Sequence, residues 1–269
     1  MTQKTNSSNN LPAASAGLRG LNVFFALAQI LAPSFHSLTG LGTSIARATP
    51  APAGLSPEAP AGYAFGIWFV VFLLSLGYAV HQALPNQQSN ACYAKIRGLT
   101  ATLFALSTAW MLTAQLYGNI WPLAVIITLM VFCALSVFKR VFTTPFAGRL
   151  YSAIVAPMAG LYAGWLSVAV FLNWASLLKP WIIRSETLSL TQLAFITLGL
   201  ASVLGLFWVY KSRGQWAYAI ALIWALVGVW VTNQFIAPNT PVAILAVVLQ
   251  LSVIAVGFKA RRQPQSLAQ

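Results

Sequence analysis

The sequence predicts an all-α fold, a polytopic membrane bundle of about eight transmembrane helices. Of its 269 residues, 59% are hydrophobic and only 6% are charged, and the mean hydropathy is +0.77. A water-soluble domain of this composition would leave too many hydrocarbon side chains exposed to solvent. The second observation is the pattern: long charge-free runs alternate with short clusters of lysine and arginine, as in multi-pass membrane proteins.

Eight apolar runs are long enough to cross the hydrocarbon core, which needs about 20 helical residues. The predicted spans are 20–39, 63–84, 98–117, 122–138, 151–177, 188–210, 216–235 and 242–258. Two longer apolar stretches are divided by the turn-forming segments GNIWP and APNTP, so each predicts a helical hairpin. The polar residues 1–18 predict a disordered tail, and the first apolar run predicts an uncleaved helix because no clear cleavage site follows it.

The distribution of basic residues predicts the orientation of the bundle. With eight spans both termini lie on one side, and that side collects 12 of the 15 lysines and arginines. Only Arg47, Lys179 and Arg184 fall on the other side. The positive-inside rule therefore predicts a bacterial inner-membrane protein with both termini in the cytoplasm. This topology also explains the formal charge of +13, so we expect no nucleic-acid partner.

The scarcity of acidic residues excludes several function classes. The chain contains no aspartate and two glutamates, Glu58 and Glu186, neither of which lies in a predicted span. Ion-coupled transporters usually bind or relay the ion through a carboxylate inside the membrane, so coupled transport is not expected. The paired acids of glycosidases, a Ser-His-Asp triad and a lysine-containing phosphate loop are absent as well.

The histidines and cysteines predict no structural metal centre. His36 and His81 are expected near opposite ends of their helices, and neither has an acidic partner. Either one alone remains a conceivable haem ligand, although a polar anchor at the membrane interface is the simpler interpretation. Cys92 and Cys133 have neither CxxC spacing nor the pattern of a disulfide framework.

Aromatic side chains dominate the remaining chemistry, with 10 Trp, 8 Tyr and 16 Phe in the chain. In the fifth span, Tyr162, Trp165, Ala169 and Asn173 follow one another at helical spacing and so predict one stripe on one face. Trp174 lies off this stripe and is expected to anchor the interface. The simplest alternative is that these side chains only pack the bundle and hydrogen-bond across it.

Two motifs resemble the TspO/MBR family of tryptophan-rich sensory proteins. The fifth span reads Y-x-x-W-x-S-x-A-x-x-L-N from Tyr162 to Asn173, which resembles the fifth helix of that family. The segment PAGYAFGIW at 60–68 is similar to the proline-led aromatic start of its second helix. Here Tyr63 replaces the usual first tryptophan, and the spacing from Phe65 to Trp68 is one residue shorter. The third span is less similar: where the family has an asparagine and a tryptophan, this chain has Thr108 and Trp110 at imperfect spacing, with Gln115 further along.

The resemblance implies a domain organisation. A five-helix TspO-like core spans residues 19–178, and a three-helix C-terminal extension spans 179–260, as in the longer bacterial relatives. A cytoplasmic tail covers 261–269. The resemblance also implies a possible homodimer, although no small-xxx-small face is distinct enough to place the interface.

The resemblance also implies a binding site for a hydrophobic aromatic ligand, most of all a tetrapyrrole such as protoporphyrin IX or haem. We expect a pocket inside the five-helix core, beneath the loop at 40–62, and no required cofactor. The ligand-binding residues that we predict are Tyr63, Phe65, Trp68, Trp110, Tyr162, Trp165 and Asn173. Arg47 in the loop is a candidate partner for a porphyrin propionate.

Four functions fit these expectations. The first is a membrane receptor or sensor of the ligand, and the second is a transporter of the ligand that is not coupled to an ion gradient. The third is an enzyme that degrades porphyrin at the pocket tryptophans, for which no acid–base or nucleophilic set of residues is found. The fourth is an assembly role in the membrane.

Overall fold

A computed structural model of the protein describes residues 15–45, 56–118, 121–144, 148–185 and 188–262. In these ranges it contains eight helices that are long and apolar enough to cross a membrane, and no β-strand. The predicted polytopic helical bundle is thus confirmed. The helices are α1 (Ala16–Leu31), α2 (Ile67–Ala83), α3 (Arg97–Tyr117), α4 (Trp121–Thr143), α5 (Ala156–Arg184), α6 (Leu190–Lys211), α7 (Trp216–Val231) and α8 (Thr240–Arg261).

Short turns of a different pitch extend four of the helices. After α1 the chain continues through a 3₁₀ turn, Ala32–Ser34, into a short helix, Phe35–Thr39. A 3₁₀ turn at Gly62–Gly66 leads into α2. Turns of π-helix precede α5 at Tyr151–Val155 and follow α7 at Thr232–Ile236. Such turns change the direction of side chains locally and are frequent near functional sites.

Several helix boundaries differ from the sequence prediction; α4, for example, ends at Thr143 rather than at 138, and two others have a particular consequence. The helix α1 begins at Ala16 rather than near residue 20, because the Ser15 hydroxyl caps it by accepting a hydrogen bond from the Leu18 amide. The rest of the predicted tail, residues 1–14, lies outside the described residues. At the other boundary, α5 continues through Pro180 to Arg184 and so passes the predicted domain limit at 178.

The helix α5 lies at the centre of the bundle. It packs against α2 and α4 on one side and against α6 and α7 on the other. Most of its side chains are buried, whereas α1 and α8 have broad exposed apolar faces for lipid. One continuous cluster of buried apolar residues includes members of all eight helices. The C-terminal helices therefore share the core of the first five.

Two glycines bring α5 and α7 into close contact. A Cβ atom at Gly160 would lie 2.7 Å from Ala217 Cβ, and one at Gly164 would lie 2.6 Å from the Tyr218 carbonyl oxygen. Gly160 and Gly164 thus form a small-xxx-small face of the kind that lets membrane helices pack backbone to backbone. The Ser167 and Tyr218 hydroxyls add a hydrogen bond of 2.8 Å across the same interface.

A buried polar network fills the bundle near the end at which α1 begins and α8 ends, here called the terminal end. Arg97 is 1% exposed and donates to the Gln82 side chain and to the carbonyls of Gln82, Gln87 and Gln88. The carbonyl oxygen of Arg97 accepts a hydrogen bond from Asn22. Arg97 thereby satisfies carbonyl groups at and after the C-terminus of α2, where a positive charge is favourable.

Candidate functional site

A cavity of about 470 Å³ lies inside the bundle, in the half away from the terminal end. Side chains of α2, α3, α4 and α5 form its walls, and residues 56–62 cover it as a roof. Its size is within the range of about 300–1,000 Å³ that is typical of small-molecule sites. We refer to it as the core cavity and to residues 56–62 as the roof.

Five aromatic side chains line the core cavity: Phe65 of the 3₁₀ turn, Trp68 and Phe72 of α2, Trp110 of α3 and Trp165 of α5. Phe65 and Trp165 meet edge to face with ring centroids 5.5 Å apart. Trp68 lies 6.4 Å from Trp165, again edge to face. These contacts fix the ring orientations, so the wall presents large apolar faces without needing a ligand to order them.

The stripe on α5 forms one wall of the cavity. Trp165, Ala169 and Asn173 line it at intervals of one helical turn, as the spacing predicted. The Asn173 amide donates to the Ala169 carbonyl at 3.2 Å. Ser167 of the motif and the adjacent Trp174 face elsewhere. The Ser167 hydroxyl lies 2.8 Å from the Tyr218 hydroxyl of α7. The Trp174 indole donates to Thr128 of α4, and its ring packs edge to face on Trp121.

Two of the predicted site residues do not line the cavity. Tyr162 is 1% exposed and lies below Trp68, whose ring it meets edge to face at 5.4 Å. Its hydroxyl donates to Gln29 of α1 at 3.1 Å. Tyr63 is 47% exposed and packs against Trp224 of α7. The 3₁₀ turn that carries Tyr63 and Phe65 directs only Phe65 into the cavity.

Sequence reasoning missed the contribution of the roof. Glu58 was expected in an outside loop, yet it is 3% exposed and lines the cavity together with Ser56. The Ser56 hydroxyl accepts a hydrogen bond of 2.6 Å from Lys179 near the end of α5. A signal was present in the sequence, since one of the chain's two acids directly precedes the aromatic motif between two prolines. Arg47 lies outside the described residues.

The helix α7 holds the roof and the start of α2 in place. The Trp224 indole donates to the Ala64 carbonyl at 2.8 Å, and the Asn233 amide donates to the Pro57 carbonyl at 2.7 Å. Between them, the Ala61 amide donates to the Gly228 carbonyl at 3.0 Å. A Cβ atom at Gly228 would lie 2.7 Å from Pro60 Cβ, so only glycine allows this approach.

The core cavity is closed toward the terminal end. Tyr162 stacks on Phe104, and Tyr78 and Thr100 follow below them with a hydroxyl–hydroxyl distance of 3.0 Å. Thr100 also donates to Asn22 at 2.7 Å. These fully buried groups fill the space between α1, α2 and α3. The described residues therefore form a pocket with a floor rather than a passage through the bundle.

Neither histidine lies on the cavity wall. His36 Nδ1 is 3.2 Å from the Leu41 carbonyl oxygen, and His81 Nδ1 is 2.7 Å from the Tyr93 hydroxyl near the terminal end. Desolvation by burial raises the pKa of the Tyr93 hydroxyl. No group of three or more His, Cys, Asp or Glu side chains within the described ranges is placed to hold a metal ion.

The fold and the cavity define a class: a polytopic α-helical membrane protein with an aromatic pocket in its core. A family model described as "TSPO-like protein" matches residues 57–258. The chain therefore belongs to the TspO/MBR family. The match begins at the roof and includes α6 to α8, which the residue motifs alone had left outside the shared core. Neither the curated proteins nor the solved structures contain a match.

Proposed function

We propose that the protein is a membrane receptor that binds a hydrophobic aromatic ligand in the core cavity. Membership in the TSPO-like family supports ligand binding, sensing or transport at a membrane. The observation that carries the proposal is the wall of five aromatic side chains around a cavity of about 470 Å³. Flat apolar faces with a few polar atoms suit a planar ligand.

A tetrapyrrole is the ligand class that we propose to test first. The motifs around Trp68 and Trp165 carry the resemblance that implies it, and both side chains line the cavity. Asn173 lies on the same wall and offers amide groups to polar substituents. Under the proposed inner-membrane topology, with both termini cytoplasmic, the roof faces outward and the ligand enters from that side or from the lipid.

The closed floor supports a receptor over a transporter. A ligand in the core cavity rests above Tyr162 and Phe104, which are 1% exposed or less. Transport would require these rings and the polar groups beneath them to separate. Flux of the ligand into sealed vesicles containing the protein distinguishes the two functions, since a receptor binds the ligand without moving it across the membrane.

Titration with protoporphyrin IX tests the proposed site. We expect saturable quenching of tryptophan fluorescence in detergent, and affinities about tenfold weaker in Trp68→Ala and Trp165→Ala because each change removes a ring face from the wall. Trp181→Ala is the matched control, because Trp181 is 66% exposed at the end of α5 and lies off the cavity. Equal affinities of the wild-type protein and all three variants would contradict a ligand site in the core cavity.

A substitution in α7, away from the cavity wall, is predicted to change the rate at which the ligand is released. Trp224→Phe keeps the packing on Tyr63 but removes the hydrogen bond to the Ala64 carbonyl. We expect a several-fold faster release of protoporphyrin IX, measured by stopped-flow fluorescence, because the roof opens more often. Trp230→Phe, also on α7, is the control. An unchanged release rate would show that the Trp224 bond does not restrain the roof.

A further inference from the structure

The roof of the core cavity contains a buried carboxylate, one oxygen of which lacks a partner among the described residues. The Glu58 side chain lines the cavity and is 3% exposed, and its Oε2 atom has no hydrogen-bond partner among the described residues. A buried carboxylate is unfavourable unless a cation or several donors stabilise it. The described residues thus leave this oxygen without the contact that a buried carboxylate oxygen usually has.

The fold of the roof does not depend on the Glu58 carboxylate. Backbone groups on both sides of it are already held: the Ala59 amide donates to the Ser56 carbonyl at 2.9 Å, and the Pro57 carbonyl accepts from Asn233. The turn is thus complete without the Glu58 side chain. A purely structural role would instead show the carboxylate capping an amide or pairing with a cation.

Two further residues of the cavity wall, Ser107 and Trp110, carry a buried polar atom that lacks a hydrogen-bond partner among the described residues. These atoms are the Ser107 Oγ and the Trp110 Nε1. Indole N–H groups usually find an acceptor when they are buried. Glu58, Ser107 and Trp110 are thus polar residues without complete hydrogen bonding on a cavity wall that is otherwise mostly apolar and aromatic.

We propose that the core cavity selects aromatic ligands that carry a protonated amine, which Glu58 binds. This inference rests on the proposed ligand-binding function and specifies the class of ligand. A cationic N–H group gives the carboxylate a charge-assisted hydrogen bond, and the aromatic wall of the cavity is also favourable for a positive charge. A ligand carboxylate near Glu58 is repelled, so the anionic propionates of a porphyrin point away from the roof or weaken binding.

Three acridines of nearly equal size test this selectivity. At neutral pH 9-aminoacridine is cationic, acridine is mostly neutral, and acridine-9-carboxylic acid is anionic. Equilibrium dialysis against the purified full-length protein in a neutral detergent gives the three affinities. We expect 9-aminoacridine to bind at least about tenfold more tightly than acridine, and the acid to bind more weakly than either.

The variant Glu58→Gln keeps the shape of the side chain and removes its charge. We expect it to abolish the preference for 9-aminoacridine while leaving acridine binding within about twofold, and to tighten the binding of protoporphyrin IX. A preference that survives in Glu58→Gln would overturn the assignment to Glu58. Equal affinities of the wild-type protein for 9-aminoacridine and acridine would overturn the proposal without any variant.

The same measurements distinguish a failure of the inference about cationic ligands from a failure of the proposed ligand-binding function. If protoporphyrin IX binds saturably and no acridine does, the cavity is a ligand site and the inference about cationic ligands is wrong. If neither the acridines nor protoporphyrin IX bind, the proposed ligand-binding function fails together with the inference. Partition of 9-aminoacridine into detergent is measured in protein-free micelles and subtracted.

Discussion

Replacing Gly164 with leucine is expected to prevent the bundle from folding. A Cβ atom at this position would already lie 2.6 Å from the Tyr218 carbonyl oxygen and 2.8 Å from Ala221 Cβ. Three further carbon atoms force α5 and α7 apart and break the hydrogen bond between Ser167 and Tyr218. Overpacking of a core usually costs about 1–3 kcal/mol, and we expect more here because backbone rather than a flexible side chain is in the way.

The measurement is size-exclusion chromatography of detergent-solubilised protein, followed by thermal unfolding of any monodisperse fraction. Gly199→Leu in α6 is the matched control, since a Cβ atom at Gly199 meets nothing within 4 Å. We expect Gly199→Leu to behave like the wild type and Gly164→Leu to aggregate or unfold at a much lower temperature. Equal melting temperatures for the two variants would contradict the α5–α7 packing.

Replacing Ala169 with phenylalanine is expected to abolish ligand binding while the bundle still folds. Ala169 lies on the α5 wall of the core cavity between Trp165 and Asn173, one helical turn from each. The added ring enters the space that the ligand needs, so the affinity for protoporphyrin IX should fall about 100-fold or more. The fold tolerates the change because the new side chain enters a cavity rather than a packed interface.

Binding and melting temperature are measured on the same preparation. Ala255→Phe on the exposed face of α8 is the control for a general effect of added apolar surface. We expect this control to bind protoporphyrin IX like the wild type. If Ala169→Phe retains full affinity with a normal melting temperature, the ligand site is elsewhere in the protein.

The fold was largely predictable from the sequence because the bilayer imposes a strong and simple constraint. Each spanning helix needs a long apolar run, and the basic clusters separate these runs. The chain accordingly shows the eight expected helices in its described parts. Hydropathy did not determine the helix ends: the Ser15 cap starts α1 earlier than expected, and α5 continues beyond Pro180.

The site was only partly predictable because helical periodicity describes one helix at a time. It placed Trp165 and Asn173 correctly on one stripe, since both belong to a regular helix. It failed to separate Tyr63 from Phe65, because a 3₁₀ turn of a few residues sets their directions. Tyr162 follows the same periodicity but lies one turn too deep to reach the cavity.

The contributions of the roof and of α7 required the three-dimensional packing. Hydropathy places Glu58 in a loop, and nothing in its local sequence shows that α7 folds the loop back over the cavity. Gly160 and Gly164 are four residues apart, but the sequence does not say which helix they contact. The structure assigns that contact to α7 of the same chain, so these glycines are not free to form a dimer interface.

The most direct test of the central claim is the stoichiometry of protoporphyrin IX binding to the wild-type protein and to Ala169→Phe, measured side by side in the same detergent. A cavity that holds one planar ligand predicts one saturable site per chain in the wild type and none in the variant. Saturable binding of equal affinity in both proteins, or quenching that rises linearly without saturation in both, would contradict a ligand site in the core cavity.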